Sequence, residues 1–401
     1  MTSEWHEVPL RELVGYISKG IAPSYAEEAS ETTIRVLNQK CNRNFRISYG
    51  DSRLHDTLKK KVPPERYVKP DDILINSTGA GTAGRIAQIE DVPSATTIDG
   101  HMTLIRSNGK VTQKFLGYAL KAHQWEVLQL DEGSTGQTEL NRDRLLDEIM
   151  INYPVSFDEQ NAIVGTLESI DRKLIVNEQL NDNLEQQAQS YFQELFVDNA
   201  DPEWAIGTVS DLGTVVGGST PSKAKPEYYT ESGIAWITPK DLSINKSKFV
   251  SHGENDITEL GLKNSSAAIM PEGTVLFSSR APIGYIAIAA GEVTTNQGFK
   301  SVVPKPEIGT PFVYFFLKNT LPVIEGMASG STFKEVSGST MKNVPAVIPD
   351  AETLAKFSDF CAPIFAQQRI LEEQNQSLAT LRDNLLPKLM SGEIDVSAVQ
   401  L

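Results

Sequence analysis

The sequence predicts an α+β protein with a pseudo-two-fold internal repeat. Two similar domains, each a twisted β-sheet with helices, are expected to be separated by two long antiparallel coiled-coil spacer helices. Segments of the first half return in the same order about two hundred residues later. Short β-branched runs between Gly, Pro, Asn and Ser residues indicate strands and turns in both halves. Two longer stretches carry apolar residues at heptad spacing, which is typical of coiled coils.

The internal repeat extends over nearly the whole chain. The matched segments are Trp5 with Trp204, residues 72–75 with 273–277, 97–100 with 295–298, 133–135 with 330–332, and 163–196 with 357–390. A duplicated chain can place two similar modules about a pseudo-two-fold axis, which suits a target with the same symmetry, such as duplex DNA. Duplication that serves stability alone is the alternative.

Length and composition describe an ordinary globular chain. The 401 residues suffice for two or three domains with cores of their own. Hydrophobic residues make up 40% and charged residues 22%, and no apolar run approaches the ~20 residues of a membrane span. The start lacks the basic and apolar regions of a signal peptide, so we expect a cytoplasmic protein without membrane contact. Cys41 and Cys361 stand apart from other metal-binding residues, which favours free thiols.

The charge is strongly negative but unevenly distributed. The formal net charge is −15, yet residues 156–200 alone hold 2 Lys or Arg against 9 Asp or Glu. Local basic clusters occur in the first half, at residues 40–53 and 59–69. Such clusters fit phosphate contact, although solvated basic loops are an equal alternative. If the chain binds DNA, other subunits are expected to supply much of the positive surface.

Residues 1–155 form the first predicted domain, and residues 156–200 the central spacer helix. Strand candidates lie at 34–37, 73–75 and 103–105, with a helix near 115–130. The heptad pattern begins after residue 157 and also includes Asn177 and Asn181, which at buried positions would specify register. Its apolar positions are Ile163, Leu167, Ile170, Leu174, Leu184, Ala188, Tyr191 and Leu195.

The second half repeats this plan, with a domain at residues 201–350 and a C-terminal spacer helix and tail at 351–401. The simplest packing lays the two helices antiparallel against each other. Docking of each helix on its own domain is the alternative. The predicted seam of the second helix is spaced by seven residues: Phe357, Ile364, Leu371, Leu378 and Leu385.

A glycine-rich run, residues 79–84, matches the dinucleotide fingerprint GxGxxG. The alternating residues 85–89 that follow predict a strand where a phosphate-binding helix would be needed, and the second copy carries Pro282. We therefore expect a loop between two strands. Motifs for nucleotide hydrolysis, amino-methylation, zinc proteases and serine hydrolases are also missing, and the five His residues do not cluster. These gaps favour a recognition protein over an enzyme, with no catalytic residue and no metal site.

Several segments resemble the specificity subunits of type I DNA restriction-modification enzymes. They occur in the family's order, over essentially the whole chain: IAWITPKDL at 234–242, GTVLFSSRAPIG at 273–284, TNQGFK at 295–300, GSTFK at 330–334, NLLPKLMSGEI at 384–394 and, in the first half, TELNRDRL at 138–145. The first copy departs from the second at residues 37–40 and near residue 60. Different base targets would require such divergence.

The resemblance implies two target-recognition domains, each reading one half of an interrupted sequence in double-stranded DNA, with the helices fixing the gap. Arg and Lys suit guanine, and Asn and Gln suit adenine. The predicted DNA-contacting residues are Asn76, Ser77, Thr78, Arg85, Thr135, Gln137, Thr138, Lys240, Ser278, Arg280, Gln297, Lys300, Thr332 and Lys334.

The resemblance places catalysis in partners. Two modification subunits would methylate adenine at N6 with S-adenosylmethionine, and restriction subunits would use ATP and Mg²⁺, so no cofactor is expected in this chain. Two rival hypotheses remain. A stand-alone DNA-modifying enzyme would need a cofactor or metal site, and a coiled-coil scaffold would bind protein through its two heads.

Overall fold

The computed structural model describes residues 4–79, 81–132, 139–330 and 334–396. The chain divides into two compact units, Met1–Leu174 with Leu378–Leu401, and Ile175–Ser377. Each unit contains one globular head together with a segment from each of two long helices. The segments expected from the sequence, 1–155, 156–200, 201–350 and 351–401, remain a prediction. The division into units does not test their borders, because it cuts both long helices and assigns a part of each to each unit.

The first unit consists of short strands with a few helices between and after them. Its strands are β1 (Trp5–Pro9), β2 (Val14–Lys19), β3 (Tyr25–Ala26), β4 (Thr33–Leu37), β5 (Asn42–Arg43), β6 (Arg46–Ile47), β7 (Arg53–Asp56), β8 (Ile73–Asn76), β9 (Ile86–Gln88), β10 (Thr96–Ile98), β11 (Met102–Ser107), β12 (Asp131–Glu132), β13 (Glu139–Leu140) and β14 (Met150–Pro154). Its helices are α1 (Gln113–Ala122), α2 (Gln124–Val127), α3 (Arg142–Glu148) and the first part of α4 (Phe157–Gln193), together with the end of the C-terminal helix, whose bounds are given below.

The second unit repeats this order. Its strands are β15 (Ala205–Thr208), β16 (Gly213–Gly217), β17 (Tyr229–Thr230), β18 (Ile234–Ile237), β19 (Phe249–Val250), β20 (Asn255–Ile257), β21 (Val275–Ser279), β22 (Ile283–Ala289), β23 (Thr294–Thr295), β24 (Lys300–Pro304) and β25 (Pro345–Ile348). Its helices are α5 (Val209–Leu212), α6 (Pro239–Ile244), α7 (Glu259–Lys263), α8 (Thr310–Met327), α9 (Gly338–Lys342) and the first part of α10 (Ala351–Met390). The last part of α4, with the π-helical turn (Glu194–Asp198) that extends it, also belongs to this unit.

The two heads share one sheet topology. In the first head the strand orders are β10-β4-β7-β3 and β2-β11-β8-β9. In the second head, given in the same direction, they are β23-β18-β20-β17 and β16-β24-β21-β22-β19, where β19 is an additional edge strand. A two-stranded antiparallel pair, β1 with β14 and β15 with β25, joins the start of each head to its end. The internal repeat read from the sequence is therefore a repeat of the fold, and the predicted strands at 34–37, 73–75 and 103–105 are confirmed.

The glycine-rich run at residues 79–84 joins two strands, as expected. It follows β8 and precedes β9, which pair antiparallel through Ile75 and Ile86. The equivalent strands β21 and β22 pair in the same way. A dinucleotide-binding unit would need a helix after this turn. This arrangement therefore agrees with the loop interpretation.

Each head packs its sheet against its own helices. In the first unit Phe115 of α1, Leu167 of α4 and Leu389 of α10 share one apolar core and are fully buried. In the second unit Phe312 of α8 and Phe357 of α10 do the same. Burial of such side chains contributes about 2 kcal/mol each. The long helices are therefore built into the heads as well as packed against each other.

Helices α4 and α10 run antiparallel within the second unit. Asn177 on α4 lies beside Asn375 on α10, with an N–O distance of 2.9 Å. Farther along, the rings of Phe192 and Phe357 have centroids 5.8 Å apart. Residue numbers thus rise on one helix as they fall on the other. This confirms the antiparallel packing for this unit.

The predicted seam residues are buried or half-buried along these helices. Those packed in or against the core of the first unit are Ile163, Leu167 and Leu385. Those packed in or against the core of the second unit are Leu184, Ala188, Tyr191, Leu195, Phe357 and Ile364. The remaining four, Ile170, Leu174, Leu371 and Leu378, are buried or half-buried. Among the described residues, no helix is long and apolar enough to cross a membrane.

Candidate nucleic-acid interface

The same loop crossing is built at the tip of each head. In the first head the backbone of Thr78, just after β8, bridges to Glu139, and the Leu140 N–H donates to the Ser77 carbonyl at 2.8 Å. In the second head Arg280 bridges to Glu335. The matching Val336 N–H donates to the Ser279 carbonyl at 2.9 Å. Thr78 and Arg280 therefore occupy equivalent positions, as do Glu139 and Glu335.

A second loop is anchored beside this crossing in both heads. The Asp99 N–H donates to Leu37 at 2.9 Å, and the Asn296 N–H donates to Ile237 at 3.0 Å. The side chain of Asp99 or Asn296 then accepts from the N–H two residues later, at 2.9 and 2.8 Å. Burial raises the pKa of the Asp99 carboxyl, and the hydrogen bond from the His101 backbone opposes this shift. Each head thus holds two rigid loops side by side.

In the second head, cationic and amide side chains surround a concave site of about 470 Å³. Its lining comprises Thr220, Lys223, Trp236, Thr238, Pro239, Lys240, Glu254, Asn255, Arg280, Ala281, Asn296, Gln297 and Gly298. Three residues predicted from the sequence, Lys240, Arg280 and Gln297, are brought together here. Side chains of these types can contact base edges and phosphates.

Acidic neighbours hold these cations in place. The Lys240 ammonium lies 2.5 Å from Glu254, and this hydrogen bond raises the pKa of Lys240. Arg280 lies 3.7 Å from Glu335, and Lys300 lies 3.5 Å from the other oxygen of the same carboxylate. The site therefore presents positive charge that is partly neutralised in the free protein.

The predicted residues of the second head differ in their hydrogen bonds and exposure. The Gln297 side chain accepts a hydrogen bond from the Thr220 hydroxyl. Ser278 is fully buried, and its hydroxyl donates to Pro282 and accepts from the Tyr285 N–H. Lys334 is exposed at the rim of the loop crossing. Thr332 lies outside the described residues.

In the first head, the predicted residues are less exposed. Asn76 and Ser77 are fully buried, with Asn76 bonded to Gln39 and Asn42, and Ser77 bonded to Thr103. These bonds fix the loop and leave both side chains inside the head. Their contact with DNA stays a prediction.

Thr78 and Arg85 lie nearer the surface of the first head. The Thr78 hydroxyl is 2.7 Å from Nδ1 of His101, which is exposed. Arg85 donates to the carbonyl of Gly81 at 3.2 Å. Thr135, Gln137 and Thr138 lie outside the described residues. Thr78, Arg85 and His101 are thus among the polar groups that the described residues of this head offer to a ligand.

Several charged residues of the site were not singled out by the sequence reasoning. Glu139 forms an ion pair with Lys19 of β2, and Lys223 lines the concave site. One signal could have found the two glutamates, because an acidic and an apolar residue, Glu139-Leu140 and Glu335-Val336, come shortly after Gly-Ser-Thr in both copies, with three and two residues between. Among the described residues, no group of three His, Cys, Asp or Glu could hold a metal ion.

Comparison with known proteins gives the same repeat. A family model described as type I restriction modification DNA specificity domain matches residues 2–186 and again 202–381. The MjaIX specificity subunit of a type I restriction enzyme from Methanocaldococcus jannaschii is 39% identical over 191 residues, which are 45% of this chain and 44% of that protein. The chain thus aligns with less than half the length of this relative.

Two further similarities extend over nearly the whole chain. A putative MjaX specificity subunit from the same organism is 19% identical over 419 residues, which cover 98% of this chain and 94% of that protein. The crystal structure of a type I restriction-modification S subunit from M. genitalium covers 97% of this chain and 99% of its own, with a TM-score of 0.60 and 18% identity. The latter similarity concerns the fold.

Proposed function

The chain belongs to the type I restriction modification DNA specificity family, and from this premise we propose that it reads a bipartite target in double-stranded DNA, one half-site per head. The observation that carries this proposal is the equivalent loop crossing in the two heads, with different side chains at the same position. Thr78 stands in the first head where Arg280 stands in the second. Different groups at equivalent positions suit different bases.

The concave site of the second head supports base or phosphate contact. Lys223 and Lys240 supply charge for phosphates, while Arg280 suits guanine and Asn255 and Gln297 suit adenine at the base edges. The first head offers Thr78 and His101 at the equivalent tip, and exposed Lys59 and Lys61 elsewhere. Phosphate contacts would set the position of the heads, and the loop tips would provide sequence preference.

Within this proposal the chain is a non-catalytic subunit, and its partners carry out the chemistry. Two modification subunits would supply S-adenosylmethionine-dependent adenine methylation, and restriction subunits would supply ATP- and Mg²⁺-dependent translocation and cleavage in the cytoplasm. The polar faces of α4 and α10 are suitable for docking them. The acidic excess of residues 156–200 supports this, because it leaves the positive surface around DNA to other subunits.

Sequencing of methylated adenines tests the proposal. The chain is co-expressed with a type I modification subunit from the same source, and methylated positions are mapped across host DNA. We expect a two-part motif with a fixed gap. Exchange of residues 1–155 should alter one half of the motif and exchange of residues 201–350 the other half. Glu307→Gln, an exposed change in the turn before α8 and outside both long helices, is the control and should leave the motif unchanged.

Two outcomes would overturn the proposal. If the complex assembles but methylation is absent or unaffected by either exchange, the chain is a scaffold. If the purified chain alone binds S-adenosylmethionine or Mg²⁺ in titration calorimetry and methylates or cleaves DNA, it is an enzyme.

A further inference from the structure

A glutamate and a lysine form an ion pair at the same place in both heads, although the lysine comes from different strands. In the first head Lys19 on β2 forms the ion pair with Glu139, and Lys19 lies opposite Thr103 of the neighbouring strand β11. In the second head Lys300 on β24 forms the ion pair with Glu335, and Lys300 lies opposite Gly217 of the neighbouring strand β16. The two lysines thus lie on strands that are not equivalent, yet the ammonium of each reaches the equivalent glutamate.

The backbone around each glutamate is rigidly held. Glu335 pairs with Ser329 through two hydrogen bonds of 2.9 and 3.1 Å, and it also bridges to Arg280. Glu139 pairs with Glu132 of β12 and bridges to Thr78. The carboxylates therefore start from fixed positions beside the loop tips. The side chains are partly exposed, 39% for Glu335 and 55% for Glu139, so that a ligand can reach them.

A carboxylate at a surface that binds DNA normally opposes binding, because it repels phosphate. Here the Glu335 carboxylate is shared by Arg280 and Lys300, at 3.7 and 3.5 Å. It offsets part of their charge and limits the directions in which they point. Contact of these two cations with a phosphate of the wrong DNA sequence therefore adds little binding free energy, since it weakens an existing ion pair.

We propose that Glu335 in the second head, and Glu139 in the first, are specificity-determining positioning residues that restrain the neighbouring cations until matched DNA engages them. This inference rests on the proposed function and extends it to residues that themselves repel the DNA backbone. The carboxylates reduce binding to any DNA, and they reduce binding to the wrong sequence most. The cost to the matched sequence is small, because the restrained cation is already directed toward the tip of the loop.

The test measures DNA binding by the full chain in complex with its co-expressed methyltransferase. The DNA affinities of wild type, Glu335→Gln and Glu139→Gln are compared at several salt concentrations. One duplex contains the sequence motif found by methylation mapping, and the other contains a scrambled sequence. Glu307→Gln is the matched control, because it removes the same charge from an exposed position in the turn before α8. Thermal melting shows that each variant is folded.

For Glu335→Gln we expect about fivefold tighter binding to the scrambled duplex and less than about twofold change on the motif duplex, so the specificity ratio falls. Release of Arg280 and Lys300 should also steepen the dependence of log K on log salt by ~1–2 on the scrambled duplex, since each added phosphate contact contributes about 0.9. Glu139→Gln should show a smaller increase, because it releases Lys19 alone. Glu307→Gln should leave both quantities unchanged.

Other outcomes separate this inference from the function on which it rests. If wild type does not prefer the motif duplex, the proposed function fails, and this inference fails with it. If wild type prefers the motif but Glu335→Gln has the same specificity ratio and salt dependence, only the positioning role fails. Equal tightening on both duplexes would show a general charge effect, and weaker binding to both would show a structural role. Either result would overturn the inference.

Discussion

The ammonium of Lys248 lies 2.7 Å from the carboxylate of Glu185 inside the second unit, although only 5% of the lysine side chain is exposed. Lys248 belongs to the loop before β19, and Glu185 belongs to α4. Gln368 of α10 accepts a second hydrogen bond from the ammonium at 2.8 Å, and the ring of Phe365 lies 3.5 Å from it. One buried charge thus joins the head to both helices of its unit.

Glu185→Gln should destabilise the second unit by about 3 kcal/mol, because it leaves the Lys248 charge buried without its nearest carboxylate. Urea unfolding followed by circular dichroism measures the change. Asp182→Asn, one turn away and exposed, should change stability by less than about 0.5 kcal/mol. The double variant Glu185→Gln with Lys248→Met should be more stable than Glu185→Gln, since the buried uncompensated charge is gone and Lys318, the other partner of Glu185, is 34% exposed. A double variant no more stable than the single one would contradict this explanation.

The same pair gives a prediction for pH. Burial lowers the pKa of Lys248 from 10.5 to about 8, and the attraction of Glu185 opposes the shift. Between pH 8 and pH 10.5 Lys248 binds a proton more fully in the unfolded chain than in the folded chain. The free energy of unfolding therefore rises with pH in this range through Lys248. Loss of Glu185 should lower the Lys248 pKa further. The stability difference between wild type and Glu185→Gln should therefore narrow from pH 7 to pH 9.

Urea midpoints at pH 7 and pH 9 measure this narrowing. Burial raises the pKa of Cys361 to about 12, so that thiol contributes with the opposite sign above pH 9. Cys361 is present in wild type and variant alike, and comparison of the two largely removes its contribution. A difference that widens with pH would show that Lys248 is not the titrating group.

The fold could be predicted further than the site, for a physical reason. Strands such as β8 and helices such as α4 leave periodic patterns of apolar residues, and duplication makes each pattern visible twice. The pattern does not tell which polar residue at the end of a strand faces inward. Asn76 and Ser278 follow the same apolar strand pattern and are buried, while Arg280, two residues after Ser278, reaches the surface. Pairs such as Lys19 with Glu139 depend on tertiary structure.

Asn177 and Asn375 offer a direct test of the polar contact between α4 and α10. The Asn177 side chain is 1% exposed and donates to Asn375 at 2.9 Å. A double-mutant cycle with alanine at both positions should give a coupling energy of about 1 kcal/mol, the net value of a typical hydrogen bond. Asn177→Ala combined with Asn343→Ala, at the residue that follows α9, should be additive. Absence of coupling in the first cycle would show that the contact contributes nothing to stability.

Arg280 gives the sharpest prediction for DNA recognition. It stands at the tip of the loop after β21, beside Gln297 at the concave site, and its five donors suit the paired acceptors of guanine. Arg280→Gln should weaken discrimination at one base pair of one half-site by about 1–3 kcal/mol. The methylated motif would then become degenerate at that position, while the other half-site stays unchanged.

Two lysine variants separate base reading from charge. Lys223→Gln, at the rim of the same site, should weaken binding equally on all sequences and reduce the salt slope by about 1. Lys263→Gln on α7, 73% exposed and outside the concave site, should leave binding and motif unchanged. If Arg280→Gln behaves like Lys223→Gln, with uniform weakening and an unchanged motif, Arg280 contacts phosphate. The base-reading residue of this head must then be sought among Asn255, Asn296 and Gln297.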